Sequence, residues 1–387
     1  MNNSTLNTHA DDVTRQVADL ESLCVQAHAA NLMVLHDGSL ACVWFGGSME
    51  GKSDISVFMS KLEGEQWSTP VQLSNDLNRS EQNPILFPAP DGKLWLLHTA
   101  QFSGNQDTAI VRRRISSDNG KTWGPTEQIE GLPLGTFVRQ PIHVHTDGAW
   151  LLPAFDCRIN PDAKWDGSLD VSVVYRSTDQ GKTWLNHPVP DSLGCVHMSI
   201  VPSSDGKLLA FFRSRWADFV YMTSSADGGI TWAKPLPTAL PNNNSSIQAL
   251  RLADGRLAMI FNNSSHLNAT ERRASLYDEL EDDGDAQNVS ISKLVTNERR
   301  AFWGAPRAPM TLAISEDDGK TWPWKRNLEV GDGYCMSNDS ARRVNREYSY
   351  PSLRQTSDGA LHVAYTVFRQ HIRHAKISPD WITASVN

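Results

Sequence analysis

The chain has 387 residues, of which 40% are hydrophobic, and its formal net charge is −8 at pH 7. This acidic balance argues against the basic face of a nucleic-acid-binding protein, so nucleic acid is not expected as a partner. No run of 18 apolar residues occurs, and no membrane partner is expected. The polar N-terminus MNNSTLNTHADD has no signal-peptide pattern. We expect a cytoplasmic location, or a periplasmic or secreted one if a leader has been removed.

The five cysteines are odd in number and lack metal-ligand spacing. We therefore expect buried free thiols, no metal site and no cofactor. An acidic stretch, DELEDDGD at residues 278–285, lacks the alternating ligand register of a calcium loop. It is interpreted as part of a solvated insertion that could form a lid or an oligomer contact.

An Asp-Gly turn followed by an apolar strand recurs along the chain. The copies are HDGSLACVWF at 36, PDGKLWLLHT at 90, TDGAWLLPAF at 146, SDGKLLAFFR at 204, ADGRLAMIFN at 253 and SDGALHVAYT at 357. Asp-Gly between apolar runs predicts a β-hairpin. The copies lie roughly 55 residues apart, except that the last interval is about twice as long. This spacing predicts six repeats, with an insertion at about residues 265–310 in the fifth.

A second pattern, Ser-x-Asp-x-Gly-x-Thr-Trp, lies between the copies of the first. It occurs as SSDNGKTW at 116, STDQGKTW at 177, SADGGITW at 225 and SEDDGKTW at 315, with a weaker copy, SKLEGEQW, at 60. Asp, Asn and Gly favour tight turns, since Gly adopts positive φ and Asp bonds its own backbone. We expect these boxes to be turns between the third and fourth strands of each repeat, with buried tryptophans and no catalytic role.

Six repeats of about four strands predict an all-β protein, a six-bladed β-propeller. We expect one propeller domain at 24–387 after an N-terminal extension at 1–23. The last strand, near HIRHAKIS, could pair with residues 1 to 27 or end the final blade.

The innermost strand of a propeller blade runs from one end of the central channel to the turn at the other end. Residues eight to ten before each Asp-Gly should therefore surround one mouth of the channel. They are His28, Gln82, Asn83, Arg139, Gln140, His197, Asn243, Asn244, Ser245 and Tyr350. Loops that return to this mouth add Glu50, Asp54, Gln101, Asp156, Arg158, Arg213, Arg215, Asn262, Asn263 and Arg369. A concave polar pocket with acid and base candidates is the default site in such a protein.

The boxes, together with AHAANLMVLHDG, WFGGSMEGKSD, EQNPILF, FVRQP, PNNNSSIQALRLADG and EYSYPSL, resemble the sialidase superfamily. The resemblance is to its bacterial-neuraminidase-repeat branch and extends from about residue 24 to 376. It implies hydrolysis of a terminal sialic acid by a tyrosine nucleophile assisted by a glutamate. It further implies an aspartate acid/base and three arginines that bind the substrate carboxylate.

Transferred residue by residue, the resemblance makes Tyr350 the nucleophile, nine residues before Gly359. Glu347 is then its partner, and Asp54 or Glu50 lies in the loop of the acid/base. Two of the arginines correspond to Arg213 and to one member of a nearby group. That group is Arg342, Arg343 and Arg346.

The position of the remaining arginine holds His28, ten residues before Gly38, and Arg139 is an additional inner arginine. A guanidinium binds a carboxylate with two parallel hydrogen bonds, whereas histidine is charged only when protonated. The substrate is therefore expected to be an acidic sugar that need not be sialic acid. Arg139 or Arg213 would hold its carboxylate.

Three functions remain open from sequence. The first is an exo-acting glycosidase that removes a terminal acidic sugar from a glycan. The second is a uronate lyase, in which Arg139 neutralises the carboxylate, His197 or His28 abstracts the C5 proton and Tyr350 protonates the leaving group. The third is a glycan-binding propeller without chemistry, which the many amide side chains of the mouth would suit.

Overall fold

The computed structural model describes residues 4–159, 164–280 and 299–383. Within these ranges 27 strands form six antiparallel sheets, and the predicted six-bladed β-propeller is confirmed. In each blade the strands follow one another outward from the central channel. No helix of the described residues has the length and apolarity needed to cross a membrane.

The strands of the first three blades have the following bounds. Blade 1 contains β3 (Gln26–Val34), β4 (Leu40–Gly47), β5 (Ser56–Glu63), β6 (Gln66–Trp67) and β7 (Val71–Gln72). Blade 2 contains β8 (Ser80–Pro88), β9 (Leu94–Phe102), β10 (Asn105–Ser116) and β11 (Glu127–Gln128). Blade 3 contains β12 (Thr136–Val138), β13 (His143–Val144), β14 (Trp150–Asp156), β15 (Val171–Ser177) and β16 (Leu185–Pro188).

The other three blades complete the ring. Blade 4 contains β17 (Cys195–Pro202), β18 (Leu208–Ser214), β19 (Phe219–Ser225) and β20 (Leu236–Pro241). Blade 5 contains β21 (Gln248–Arg251), β22 (Leu257–Asn262), β23 (Met310–Ser315) and β24 (Trp324–Glu329). Blade 6 contains β25 (Tyr348–Gln355), β26 (Leu361–Val367), β27 (His371–Ile377), β2 (Asp12–Leu20) and β1 (Asn7–His9). Short 3-10 turns occur at His266–Asn268, Ser340–Arg342 and Pro379–Ile382.

The N-terminal segment closes the ring. Strand β2 pairs with β27 from Arg15 opposite Ile377 to Leu20 opposite Ile372, and β1 pairs with β2. Residues 12–20 are therefore the fourth strand of blade 6, which is the first of the two arrangements expected for the HIRHAKIS strand. Without this strand, β27 would expose an unpaired sheet edge.

The four boxes connect the third strand of a blade to the fourth, as expected. In the first box, Asp118 accepts hydrogen bonds from the Thr122 backbone at 2.8 Å, the Thr122 hydroxyl at 2.6 Å and the Ser116 hydroxyl at 2.7 Å. The same bonds recur around Asp179, Asp227 and Asp317. The expected burial holds for Trp184, Trp232 and Trp322. Trp123 is only half-buried, packed against the apolar cluster between blades 1 and 2.

A β-bulge interrupts the innermost strand of four blades near the mouth. The bulges contain Ala29, Asn83, His197 and Tyr350, and each of these residues has positive φ, between 49° and 62°. Left-handed backbone is uncommon for residues other than glycine and concentrates at functional sites. A bulge also re-aims the side chains beside it. The repeated bulge therefore gives these blades a common way to direct side chains at the mouth.

The predicted insertion in blade 5 lies between β22 and β23, at the mouth end of the blade. Two parts of it matter for the site: the cap segment, residues 271–280, and the strap, residues 299–309. Residues 281–298, which include the second half of the acidic stretch, lie outside the described residues. All five cysteines are free, as expected, and four of them are buried, with Cys24 half-buried.

Candidate active site

Tyr350 lies at the centre of the mouth, in the bulge of β25. Its ring centroid is 4.2 Å from that of His28 and 5.6 Å from that of His197. Arg213, at the end of β18, donates from Nη1 to the Tyr350 phenol oxygen at 2.5 Å. The residues predicted for the mouth thus include a phenol, two imidazoles and a guanidinium, from blades 1, 4 and 6, that contact one another.

Arg139 lies beneath Tyr350 and holds backbone in place. Its Nη2 donates to the carbonyl oxygens of Tyr350 at 3.1 Å and Ala30 at 2.9 Å, and its Nη1 donates to that of Ala29 at 3.2 Å. Burial lowers the pKa of Arg139 to about 10. Because its donors are occupied by the bulges of blades 1 and 6, Arg139 is placed to support Tyr350. Its contacts do not suit the predicted role of binding a substrate carboxylate.

A buried chain of alternating charges borders Tyr350. Arg307 donates from Nη1 to Glu347 at 2.9 Å, Arg369 donates from Nε to the other Glu347 oxygen, and Arg369 Nη1 reaches Glu50 at 2.5 Å. Burial favours the neutral carboxyl, but Arg369 and Arg307 outweigh it and hold the pKa of Glu347 below its ordinary value. Both oxygens of Glu347 are thereby engaged by guanidinium groups.

Arg213 differs from Arg307 and Arg369 because it has no carboxylate partner among the described residues. Its Nε donates to Asn244 at 2.8 Å, and its Nη2 is buried without a hydrogen-bond partner within the same ranges. Only 1% of Arg213 is exposed, and burial lowers its pKa to about 9. A buried cation without a counter-ion is costly. The mouth is therefore an electrostatically incomplete site that suits an anion.

The two histidines are neutral at neutral pH. Burial, followed by the charges of nearby arginines, lowers the pKa of His28 and of His197 well below the ordinary value. His28 Nδ1 is 2.9 Å from the Thr366 hydroxyl. Nε2 of His28 and Nδ1 of His197 are buried and have no partner among the residues described. Each ring therefore has a nitrogen available for a ligand or for proton transfer.

The strap lies beside Arg213 and is held by two asparagines of the loop between β20 and β21. Asn244 donates to the Phe302 carbonyl at 2.8 Å and Asn243 to the Pro306 carbonyl at 2.7 Å. Trp303 stacks over the Arg213 guanidinium at 5.8 Å. Sequence reasoning predicted both asparagines as substrate contacts, whereas here their amide groups hold the strap.

Amides form the blade-2 side of the mouth. Gln101 and Gln106 donate from Nε2 to the phenol oxygen of Tyr277, in the cap segment, at 3.0 and 2.9 Å. Oε1 of Gln101 and Oδ1 of Asn83 are buried and lack a partner within the described ranges. Gln82 donates to Ser80 at 2.9 Å. We name Gln82, Asn83, Gln101 and Tyr277 the amide cluster, which Gln106 supports through its bond to Tyr277.

Gln140 and the predicted acid Asp54 lie away from Tyr350's phenol contacts. Gln140 donates to the Ile247 carbonyl at 2.6 Å and accepts from Gln248 at 2.8 Å. Asp54 is exposed, and its two oxygens accept bonds from the Ser48 backbone at 2.9 Å and the Ser48 hydroxyl at 3.1 Å. Of the two acid candidates, Glu50 is buried, whereas Asp54 is exposed and accepts its hydrogen bonds from Ser48 of the same loop.

Arg343 and its neighbours also lie outside the arginine group at Tyr350. Arg343 ends a 3-10 turn with φ of 52° and lines a surface cavity of about 450 Å³ beside Gln370 and His371. Arg342 is 3.6 Å from Glu279, and Arg346 is 2.5 Å from Asp332. All three arginines are exposed, and the carboxylate contact predicted for one of them stays a prediction. Arg307 and Arg369 are the arginines that accompany Arg213.

Sequence reasoning missed Arg307 and Tyr277, because both belong to the insertion, which has no counterpart in the other repeats. Arg369 was predicted to lie at the mouth, in the loop after β26, but was not assigned a role. The one feature of the sequence that could have indicated Arg307 and Tyr277 was the length of the insertion at the mouth end of blade 5.

The sequence signature of the BNR repeat-like domain family matches residues 38–363. Among solved structures, the chain is similar to the Hadza microbial sialidase Hz136, with a TM-score of 0.66, 15% identity, and coverage of 93% of this chain and 67% of that one. A Dyadobacter fermentans protein of unknown function gives a TM-score of 0.68 at 16% identity, with 93% and 97% coverage. The intramolecular trans-sialidase from Ruminococcus gnavus gives 0.65 at 12% identity, with 99% of each chain covered. Similarity at these identities shows a shared fold.

Proposed function

Since the chain belongs to the BNR repeat-like domain family, we propose that it is a glycoside hydrolase that removes a terminal acidic sugar from a glycan. The observation that carries this proposal is Arg213, a buried guanidinium with no carboxylate partner among the described residues and in contact with the Tyr350 phenol. A site with an unpaired cation beside a reactive group is suited to a substrate that brings its own anion.

A sugar carboxylate is the anion that fits this arrangement. The free Nη2 of Arg213 would donate to it, and the neighbouring Arg307 and Arg369 would add positive potential. Guanidinium–carboxylate hydrogen bonds are roughly twice as strong as neutral ones, and more so where water is excluded. The resemblance implies an arginine at the position of His28. In this proposal that arginine is not needed, because Arg307 and Arg369 supply guanidinium groups from blades 5 and 6.

Tyr350 is the proposed nucleophile. Its O–H bond breaks as a free ring nitrogen of His28 or His197 takes the proton, and Arg213 stabilises the negative charge on the phenol oxygen. A bond then forms from that oxygen to the anomeric carbon while the glycosidic C–O bond breaks. The leaving oxygen takes up the proton that the imidazole accepted, while Glu50 remains the counter-ion of Arg369. Water later hydrolyses the glycosyl-tyrosine bond.

A uronate lyase is the second candidate, and the histidines favour it. Both are neutral with an available nitrogen, and within the described ranges no carboxyl group bonds the phenol oxygen. His28 or His197 would abstract the proton beside the carboxylate, a C=C bond would form, and the Tyr350 hydroxyl would protonate the leaving oxygen. Arg213, rather than Arg139, would neutralise the carboxylate.

One assay separates the two reactions. The protein is incubated with aryl glycosides of sialic acids and uronic acids and with unsubstituted uronate oligosaccharides, while aryl release and absorbance of an unsaturated product are followed together. The hydrolase proposal expects aryl release without unsaturation, and the lyase expects unsaturation. Binding of these glycans without either signal would overturn both and leave a glycan-binding propeller.

A further inference from the structure

The mouth has two chemically different halves. The guanidinium groups of Arg213, Arg307 and Arg369 come from blades 4, 5 and 6, whereas the opposite, blade-2 half carries the amide cluster. We propose that the amide cluster is a subsite for the hydroxyl groups of the same sugar whose carboxylate Arg213 binds. This inference rests on the proposed function and extends it to the neutral part of the substrate.

Two buried acceptor oxygens without hydrogen-bond partners among the described residues indicate that the blade-2 half of the mouth binds a ligand that carries donors. Gln101 and Asn83 are almost fully buried, and Gln101 Oε1 and Asn83 Oδ1 have no hydrogen-bond partner in the described ranges. The large majority of buried polar side-chain atoms in proteins are paired, because an unpaired one costs about 1–3 kcal/mol. Two such oxygens in neighbouring strands of one blade, β8 and β9, are best explained by a missing donor.

Charge determines which donor fits. Both free atoms are carbonyl oxygens, which accept hydrogen bonds and repel carboxylates. Burial raises the pKa of Tyr277, so its phenol stays uncharged. Neutral O–H groups suit this environment, and a sugar ring presents several of them on the side away from its carboxylate.

The cap segment is built to cover this half closely. Gly51 and Gly104 both have positive φ, and a Cβ at Gly51 would lie 2.8 Å from the Tyr277 ring. Glu279 accepts a hydrogen bond from Ser337 at 2.7 Å and so ties the cap segment to the loop between blades 5 and 6. Tyr277 contacts Gln101 directly, and the burial of Gln101 and Asn83 keeps bulk water from their free oxygens, which strengthens any hydrogen bond that they accept.

The experiment compares sugar acids with a bare carboxylate. Binding of acetate, glucuronate and N-acetylneuraminate to the parent protein and to three variants is measured by NMR titration. Gln101→Met removes the free oxygen and one Tyr277 contact. Gln106→Met is the matched control, since it removes the other Tyr277 contact, while the Gln106 oxygen already accepts from the Cys157 thiol at 3.7 Å. Asn83→Gly removes the second oxygen at a position where positive φ suits glycine.

We expect the tighter-binding sugar acid to lose about tenfold in affinity in Gln101→Met and in Asn83→Gly, about the value of one buried hydrogen bond. Gln106→Met should lose much less, and acetate should bind all of these proteins equally. Equal losses in Gln101→Met and Gln106→Met, or sugar acids no tighter than acetate in the parent, would overturn the subsite. Arg213→Gln tests the proposed function separately: unchanged binding of acetate and sugar acid there would overturn that function.

Discussion

Arg213 and Tyr350 meet at the mouth through a 2.5 Å hydrogen bond from guanidinium to phenol oxygen, and Arg213 has no carboxylate partner among the described residues. Arg307, by contrast, is paired with Glu347 at 2.9 Å. Two buried arginines of one site thus differ in whether the protein itself supplies the counter-ion. Because Arg213 also has a buried Nη2 without a hydrogen-bond partner in the described ranges, it is the arginine that we propose to bind the anion of a ligand.

Replacement of each arginine by methionine should therefore change stability in opposite ways. Arg213→Met removes an uncompensated buried cation, so the free energy of unfolding should stay the same or rise, while binding of acidic sugars is lost. Arg307→Met leaves one oxygen of Glu347 without a partner while Arg369 still holds the other, so it should lower the free energy of unfolding by about 1–3 kcal/mol. Urea denaturation of both variants checks this, and equal destabilisation would contradict it.

Tyr350→Phe should keep the fold and lose the reaction. The ring contacts with His28 and His197 remain, but the hydroxyl that bonds Arg213 is absent. We expect the melting temperature to change by only a few degrees and kcat to fall by at least about a thousandfold. The control is Tyr348→Phe, two residues earlier on the same strand, which should retain activity. Full turnover in Tyr350→Phe would rule out both proposed mechanisms.

Repeat spacing predicted the propeller because turn residues and strand lengths are local properties. The same spacing placed His28, His197, Tyr350 and Arg213 around one mouth. It could not predict that Arg139 would donate its hydrogen bonds to backbone carbonyl groups. Those bonds depend on the bulges at Ala29 and Tyr350, and no local sequence pattern indicates the bulges.

The insertion is the other part that sequence could not resolve. Arg307, Trp303 and Tyr277 reach the site from a segment that has no equivalent in the other five repeats. Their positions depend on long-range contacts such as Asn244 with Phe302 and Gln101 with Tyr277. The closure of the ring stayed open from sequence for a related reason, since the pairing of β2 with β27 joins the two ends of the chain.

Blade 6 should make the protein sensitive to acid. His362 Nδ1 lies 2.9 Å from His374 Nε2, and Trp67 donates to His374 at 3.1 Å. Burial lowers the pKa of His362 to about 4, whereas in the unfolded chain it is near 6.5. As the pH falls below 6.5 the unfolded state takes up the proton first, so stability present at pH 7 is lost toward pH 4.

The loss from His362 alone should be about 2 kcal/mol between pH 7 and pH 5. Urea denaturation at the two pH values measures it. The matched variant His362→Gln cannot take up the proton, so the difference between its stabilities at pH 7 and pH 5 should be smaller by that amount. An unchanged difference would show that His362 does not contribute to acid sensitivity.

The pH dependence of catalysis should follow the two mouth histidines rather than Arg213. Burial lowers the pKa of Arg213 from its ordinary value, but a guanidinium stays charged over the pH range of an enzyme assay.

On the acid side, His28 and His197 stay neutral well below pH 6.5, since burial and the surrounding arginines oppose their protonation. We therefore expect kcat/KM to remain level as the pH falls through 6.5 and to decline only at lower pH. The profile is measured on whichever acidic glycoside the parent cleaves. A decline centred at pH 6.5 would mean that the histidines titrate as ordinary exposed groups, which would exclude them as the buried proton acceptors of the reaction.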